Sequence, residues 1–246
     1  MELAEAMRAL ERAGTAQTRK TWARHGAPEP MFGVSFADLG KLVKRADQDH
    51  DLAVALWKTG NADARQLAVM IEDSSKTTEP QIDAWLRECG WLMTQDALCG
   101  LVAETPWGRK KADAWRKSRD ERTGRAGWVL VAKLALRQPD IADDWFDGCL
   151  GEIEAGIAKA PNRKREGMNS ALISIGCRSE ALRKKAFALA GRIGKVEIDH
   201  GDTSCKTPDA AEYVAKTWVH AKSKGFASPA AQEQARKRAK GSGCAR

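Results

Sequence analysis

The chain has 246 residues, enough to bury a full core in one large domain or two small ones, and its 41 Lys and Arg against 33 Asp and Glu give a formal charge of +8. That modest excess suits a polyanionic partner. No apolar run approaches the roughly 20 residues of a membrane span, and the opening Met1-Glu2-Leu3-Ala4-Glu5 lacks the basic start and apolar stretch of a secretory signal, so the expectation is a soluble, cytoplasmic protein with no membrane contact.

Leu3, Met7 and Leu10 recur at helical spacing and predict a first helix over 2–13; a second, over 15–24, carries Arg19, Lys20 and Arg24. Residues 25–34 hold Pro28, Pro30, Gly26 and Gly33 and read as a loop. Ser35, with Asp38 three residues on, starts a helix whose expected apolar stripe is Phe36, Leu39, Leu42 and Val43. A helix over 50–58 buries Leu52, Leu56 and Trp57. Asn61 caps the next, with Leu67, Ala68 and Ile71.

Thr78 and Gln81 form a capping box ahead of Ile82, Trp85 and Leu86. The stretch Glu88 to Gly100 opens a short apolar helix in which Asp96 stands among Trp91, Leu92, Met93, Ala97 and Leu98. A carboxylate in such company needs a cationic or hydrogen-bonding partner, faces water, or serves a cationic ligand. Pro106 sits at a first turn ahead of Ala112 and Trp115, Asp120 opens a helix with an apolar run over 126–136, and Pro139 is expected to start one with Ile141, Trp145, Phe146 and Leu150. Asn162 leads into an apolar run over 168–175, and Ser179 caps a helix with Leu182, Ala186, Phe187 and Leu189.

After Gly194 a polar loop runs to Pro208; a last helix over 208–222 places Val214, Trp218 and Val219 inward, and the basic stretch 236–243 reads as a fraying tail. No convincing alternating, β-branched run occurs. The fold class is therefore all-α, an α-solenoid or superhelix of HEAT-like antiparallel helix pairs with roughly 40 residues per repeat; a compact irregular bundle is the competing architecture. The expected organisation is one repeat domain over 1–223, followed by a partly disordered basic helix or tail over 224–246.

The six cysteines, Cys89, Cys99, Cys149, Cys177, Cys205 and Cys244, are scattered without a close pair and read as reduced, buried thiols. Gly191 and Gly194 lack the lysine and strand of a nucleotide loop. Cys177, His200, Asp202 and Cys205 match no zinc spacing, so no metal or cofactor is expected. Lys20 and Arg24, Lys41, Lys44 and Arg45, Arg122 and Arg125, Arg163, Lys164 and Arg165, and Arg183 to Lys185 recur near helix ends. In a solenoid such residues line up to track a phosphate backbone; as ordinary solvated charges they need no partner.

Five motifs, in this order and spacing, resemble the HEAT-like DNA alkylation-repair glycosylases over roughly 18–195. They are Gly26-x-x-x-Pro30-x-Phe32-Gly33-Val34-Ser35 leading to Leu39-x-x-Leu42-x-Lys44; Leu56-Trp57-x-x-Gly60-Asn61-x-x-Ala64-Arg65; Asp96-x-x-Cys99-Gly100; Arg122-x-x-Arg125-Ala126; and Asn169 followed by Ile175-Gly176. The resemblance implies hydrolysis of the N-glycosidic bond of cationic N3- or N7-alkylated purines in double-stranded DNA by a monomer. The catalytic candidates are Asp96, which would stabilise the oxocarbenium sugar, and Trp91. Arg125 would hold the DNA backbone, with Lys20, Arg24, Arg163, Lys164 and Arg165 as further DNA contacts.

The family's site also brackets its aspartate with tryptophans, one four residues before it and one directly after the Ile-Gly pair. Here those positions hold Leu92 and Cys177. Loss of one cation-attracting ring costs about 1–2 kcal/mol, roughly tenfold in rate, and Cys177→Trp is expected to restore activity if the larger side chain fits. The alternatives are a DNA-binding relative that recognises distorted DNA without cutting it, and a HEAT-type scaffold for an acidic peptide.

Overall fold

A computed structural model describes residues 1–242, with side chains to Ala239. The described chain is all-α, with fourteen α-helices, one 3-10 turn and no strand. The isolated bridge between Gly14 and Val34 is its nearest approach to β-structure. No helix among the described residues is long and apolar enough to cross a membrane. The chain divides into two compact units, Met1–Trp107 and Gly108–Arg246.

The first unit holds α1 (Leu3–Ala13), α2 (Ala16–Arg24), α3 (Phe36–Ala46), α4 (His50–Lys58), α5 (Ala62–Ile71), α6 (Glu79–Glu88) and α7 (Leu92–Val102). The caps fall where the sequence places them. Thr15, Ser35, Asn61 and Thr78 each accept a backbone N–H of the first turn, and Thr78 and Gln81 complete a reciprocal box. α5 lies at the centre, against α4, α7, α3 and α1, and Leu67, Ala68 and Ile71 are fully buried. Trp57 and Trp85 stack at 4.3 Å and 6°, with the Arg65 guanidinium 4.9 Å from the Trp57 ring centroid. Arg65 and the Trp57 indole N–H both donate to Glu88, so the Trp57 to Arg65 motif is explained by packing alone.

The loop 25–34 is fastened from below. Buried Asp63, in the first turn of α5, accepts the N–H groups of Phe32 (2.6 Å), Gly33 (3.0 Å) and Val34 (2.9 Å). Three consecutive amides converge on one carboxylate because Gly33 adopts φ of +83°, and a Cβ there would stand 2.4 Å from the Arg19 nitrogen. The Val34 carbonyl in turn accepts the Trp22 indole N–H at 2.9 Å.

The second unit holds α8 (Gly108–Trp115), α9 (Glu121–Arg137), α10 (Asp143–Gly156) with the 3-10 turn Ile157–Lys159, α11 (Asn162–Gly176), α12 (Glu180–Ile193), α13 (Ala210–Ser223) and α14 (Pro229–Ser242). α9 and α11 form its centre. They approach closely because α11 presents Gly167, where a Cβ would stand 2.9 Å from the Arg125 carbonyl oxygen. From Gly124 to Ala135 only Lys133 of α9 is not buried, the signature of an interior helix.

Four expectations need correction. α10 begins at Asp143 rather than at Pro139, because the Pro139 and Ile141 carbonyls accept from Arg178 instead of starting a helix. Val219 is 69% exposed rather than inward, and Phe36 is 41% exposed rather than a full member of its stripe. The segment 236–242 continues α14, which packs on α9 and α13; Gly243 to Arg246, the end of the expected tail, lie outside the described residues. Trp57, Trp85 and Trp128 are buried, and Trp145 is half-buried, edge-on to Phe146 at 4.8 Å.

Candidate nucleic-acid interface

In the first unit Asp96 lies in the second turn of α7. Thr94, Gln95, Leu98 and Cys99 face inward, leaving Leu92, Met93, Asp96, Ala97 and Gly100 as the more open, half-buried side of the helix. Leu92, one turn before Asp96, shares that side. Trp91 sits elsewhere: it is the N-cap residue, 3% exposed, and its indole N–H donates to the His25 carbonyl at 3.2 Å. Its ring stacks on Phe36 at 6.3 Å and 19° and packs obliquely on Trp22 at 5.4 Å.

Trp22, Phe36 and Trp91 thus form a cluster that sequence reasoning did not find. The available signal was Trp22 itself, a large apolar ring in a helix with no core stripe; α2 has no buried residue. Lys20 and Arg24 are exposed on that same helix.

In the second unit the basic candidates meet at the neighbouring starts of α9 and α11. Arg125 is 5% exposed, and its Nε donates to Glu166 Oε2 at 2.9 Å. Arg163 Nη1 stands 3.7 Å from the same oxygen, and the Arg163 backbone N–H donates to Glu121 Oε1 at 2.6 Å. Glu166 therefore joins the two arginines, a link that sequence reasoning missed although the i,i+3 spacing from Arg163 was in view.

The expected row of Arg163, Lys164 and Arg165 is dispersed. Lys164 reaches the Ser118 carbonyl at 2.9 Å, while Arg165 donates to the carbonyls of Ala160 and Glu197. The cause is that successive helical side chains point ~100° apart. Arg119 and Arg122, at the start of α9, are exposed.

Cys177, the residue after Ile175-Gly176, is 4% exposed. Its sulfur lies 3.1 Å from the Thr217 hydroxyl of α13, and its carbonyl accepts the Ala230 N–H of α14 at 3.1 Å. An indole at this covered position would press on α13 and α14, so Cys177→Trp is expected to overpack it rather than restore a ring to a cleft. Burial raises the Cys177 thiol above its ordinary range and pushes Cys149 up to about 12. Neither is a nucleophile near neutrality.

Cys205, read from the sequence as buried with the others, is exposed because it lies in the polar loop after α12. Iodoacetamide at pH 8 should therefore modify it and spare Cys149 and Cys177, read by peptide mass mapping; rapid labelling of Cys149 would contradict the burial. Because the unfolded Cys149 thiol ionises near its ordinary 9.0 and the folded one near 12, its contribution to stability should fall as pH rises through that window. No group of three His, Cys, Asp or Glu residues able to hold a metal occurs among the described residues.

The model of the DNA alkylation repair enzyme family matches residues 6–214. The uncharacterized protein Lin0241 of Listeria innocua is 29% identical over 217 residues, covering 85% of this chain and 93% of its own. Lmo0209 of Listeria monocytogenes, also uncharacterized, matches to the same extent. A solved structure from a new family of proteins related to the HEAT-like repeat DNA glycosylases, with affinity for branched DNA structures, superposes with a TM-score of 0.82 at 27% identity, covering 89% of this chain and 95% of that one.

Proposed function

The chain belongs to the DNA alkylation repair enzyme family, and from that premise we propose that it binds distorted or branched double-stranded DNA as a monomer without excising a base. The observation that carries this reading is Cys177: a small, covered thiol bonded to Thr217 takes the place of a cation-attracting ring. Leu92 stands at the other ring position, and Trp91 is engaged in packing with Trp22 and Phe36. What this arrangement supports is a charge-based hold on phosphates. Arg119, Arg122 and half-buried Arg163 present cations at the start of α9 and α11, Glu166, itself held by Arg125, anchors Arg163, and Lys20 and Arg24 add charge in the first unit. The affinity of the structural relative for branched DNA points to a junction as the ligand.

A second reading, base excision, is favoured by Asp96. This carboxylate lies half-buried beside Leu92, Met93 and Ala97, where its charge would act strongly on a developing sugar cation.

The deciding experiment pairs binding to a four-way junction and to a linear duplex with base release from methylated duplex, for wild type, Asp96→Asn and Arg163→Gln. Binding that prefers the junction and weakens steeply with salt is expected. Arg163→Gln should lessen the salt slope by about one unit, and no base release is expected from any of the three. Release by wild type that Asp96→Asn abolishes would establish the second reading, and no DNA binding at all would leave a protein scaffold.

A further inference from the structure

Residues 1–214 carry 33 Lys and Arg against 32 Asp and Glu, whereas residues 215–246 carry eight against one. Seven of the chain's eight net positive charges therefore lie in its last 32 residues, beyond the segment that the family model matches. Within the matched segment many cations are met by carboxylates, as in Arg45–Glu5, Arg116–Glu152, Lys185–Asp147 and Arg192–Glu154. A nearly neutral body exerts little long-range attraction on DNA, while a cluster of cations within a Debye length of one another, about 10 Å at 0.1 M salt, exerts a strong one.

The C-terminal segment is built to present that charge. The first half of α14 is anchored. Ala230 is 2% exposed and donates its N–H to the Cys177 carbonyl, Gln234 Nε2 donates to the Leu136 carbonyl at 3.3 Å, and Glu233 lies 3.7 Å from Arg137. Beyond this seat Arg236, Lys237 and Arg238 are exposed, as are Lys216, Lys222 and Lys224 on and just after α13, with the Lys222 ammonium 5.7 Å from the Trp218 ring centroid. These cations stay exposed on two helices that pack together, Arg236 while lying 3.6 Å from Glu233, and they outnumber the single carboxylate of residues 215–246.

We propose that the end of α13 and α14 form a docking arm for the phosphodiester backbone of DNA, a second contact separate from the cluster at the start of α9 and α11. The inference rests on the DNA-binding reading above and adds that most of the salt-dependent affinity resides in this arm. Two separate backbone contacts suit a ligand with more than one duplex arm.

The test uses the full chain with Arg236→Gln, Lys237→Gln and Arg238→Gln combined. Its control, Lys58→Gln, Lys76→Gln and Arg87→Gln, removes the same charge from exposed positions of the first unit. Affinity for a fluorescent four-way junction is measured by anisotropy from 50 to 200 mM salt. The arm variant should lose about two to three units of salt slope and at least about tenfold in affinity at the lower salt, with its melting temperature unchanged, while the control should keep the wild-type slope.

Equal slopes for wild type and arm variant would overturn the arm and leave the DNA-binding reading standing. Equal losses in both triple variants would reduce the effect to net charge and overturn it as well. No DNA binding by wild type would overturn both proposals. Sedimentation with phosphatidylserine vesicles that the arm variant loses, with its DNA slope unchanged, would assign the arm to an anionic membrane surface instead.

Discussion

Arg178→Ala should lower the unfolding free energy by about 3 kcal/mol, because several buried carbonyls lose their donor at about 1–3 kcal/mol for each group left unsatisfied, while half-exposed Asp143 adds little. The Arg178 side chain is 7% exposed. Its Nε donates to Asp143 Oδ1 at 2.8 Å, Nη1 to the carbonyls of Ala135 and Gln138 at 3.0 and 2.9 Å, and Nη2 to those of Pro139 and Ile141, while the guanidinium lies 4.4 Å from the Phe146 ring centroid. One side chain thus closes the C-terminus of α9, holds the turn into α10 and ties both to the junction of α11 and α12. Truncation leaves four carbonyls without the Arg178 donor, while the Asp143 carboxylate keeps the Ser179 hydroxyl and water. Arg178→Lys keeps the charge and loses the fork, so it should recover less than half of the loss. Urea unfolding followed by circular dichroism measures both; a shift under about 1 kcal/mol for the alanine variant would show that the network is dispensable.

Asp63→Asn should cost about 3 kcal/mol and loosen the loop 25–34. The carboxylate accepts three backbone N–H groups in the protein interior. An amide keeps one acceptor oxygen and turns a donor toward an N–H, removing charge-assisted bonds worth about 1.5–3 kcal/mol each in part or in full. The effect should reach Trp22 and Trp91, whose indole N–H groups donate to the Val34 and His25 carbonyls of this loop. The expected readouts are a lower urea midpoint, a red shift of tryptophan emission before global unfolding, and new proteolysis between His25 and Val34. Wild-type emission and midpoint would remove Asp63 as the fastener.

The all-α class, the helix starts at Thr15, Ser35, Asn61, Thr78, Asp120 and Ser179, the irregular loop 25–34 and the interior character of α9 were legible from the sequence. Each depends on interactions within a few residues: an oxygen reaching an amide two or three positions on, a proline that cannot donate, apolar side chains recurring at the helical period. The HEAT-like family was legible too, because the order and spacing of its motifs survive in one dimension. Tertiary structure decided the rest. Pro139 fails to start a helix because Arg178, 39 residues later, takes its carbonyl. Val219 fits the apolar pattern and still faces water, because the packing of α13 leaves its side uncovered. Arg163, Lys164 and Arg165 are consecutive in the chain and divergent in space, and Arg125 finds Glu166 across 41 positions. Cys177 reads as a missing ring in the sequence; its burial under Thr217 and Ala230 depends on contacts with α13 and α14, tens of residues away, and no local pattern encodes a partner at that separation.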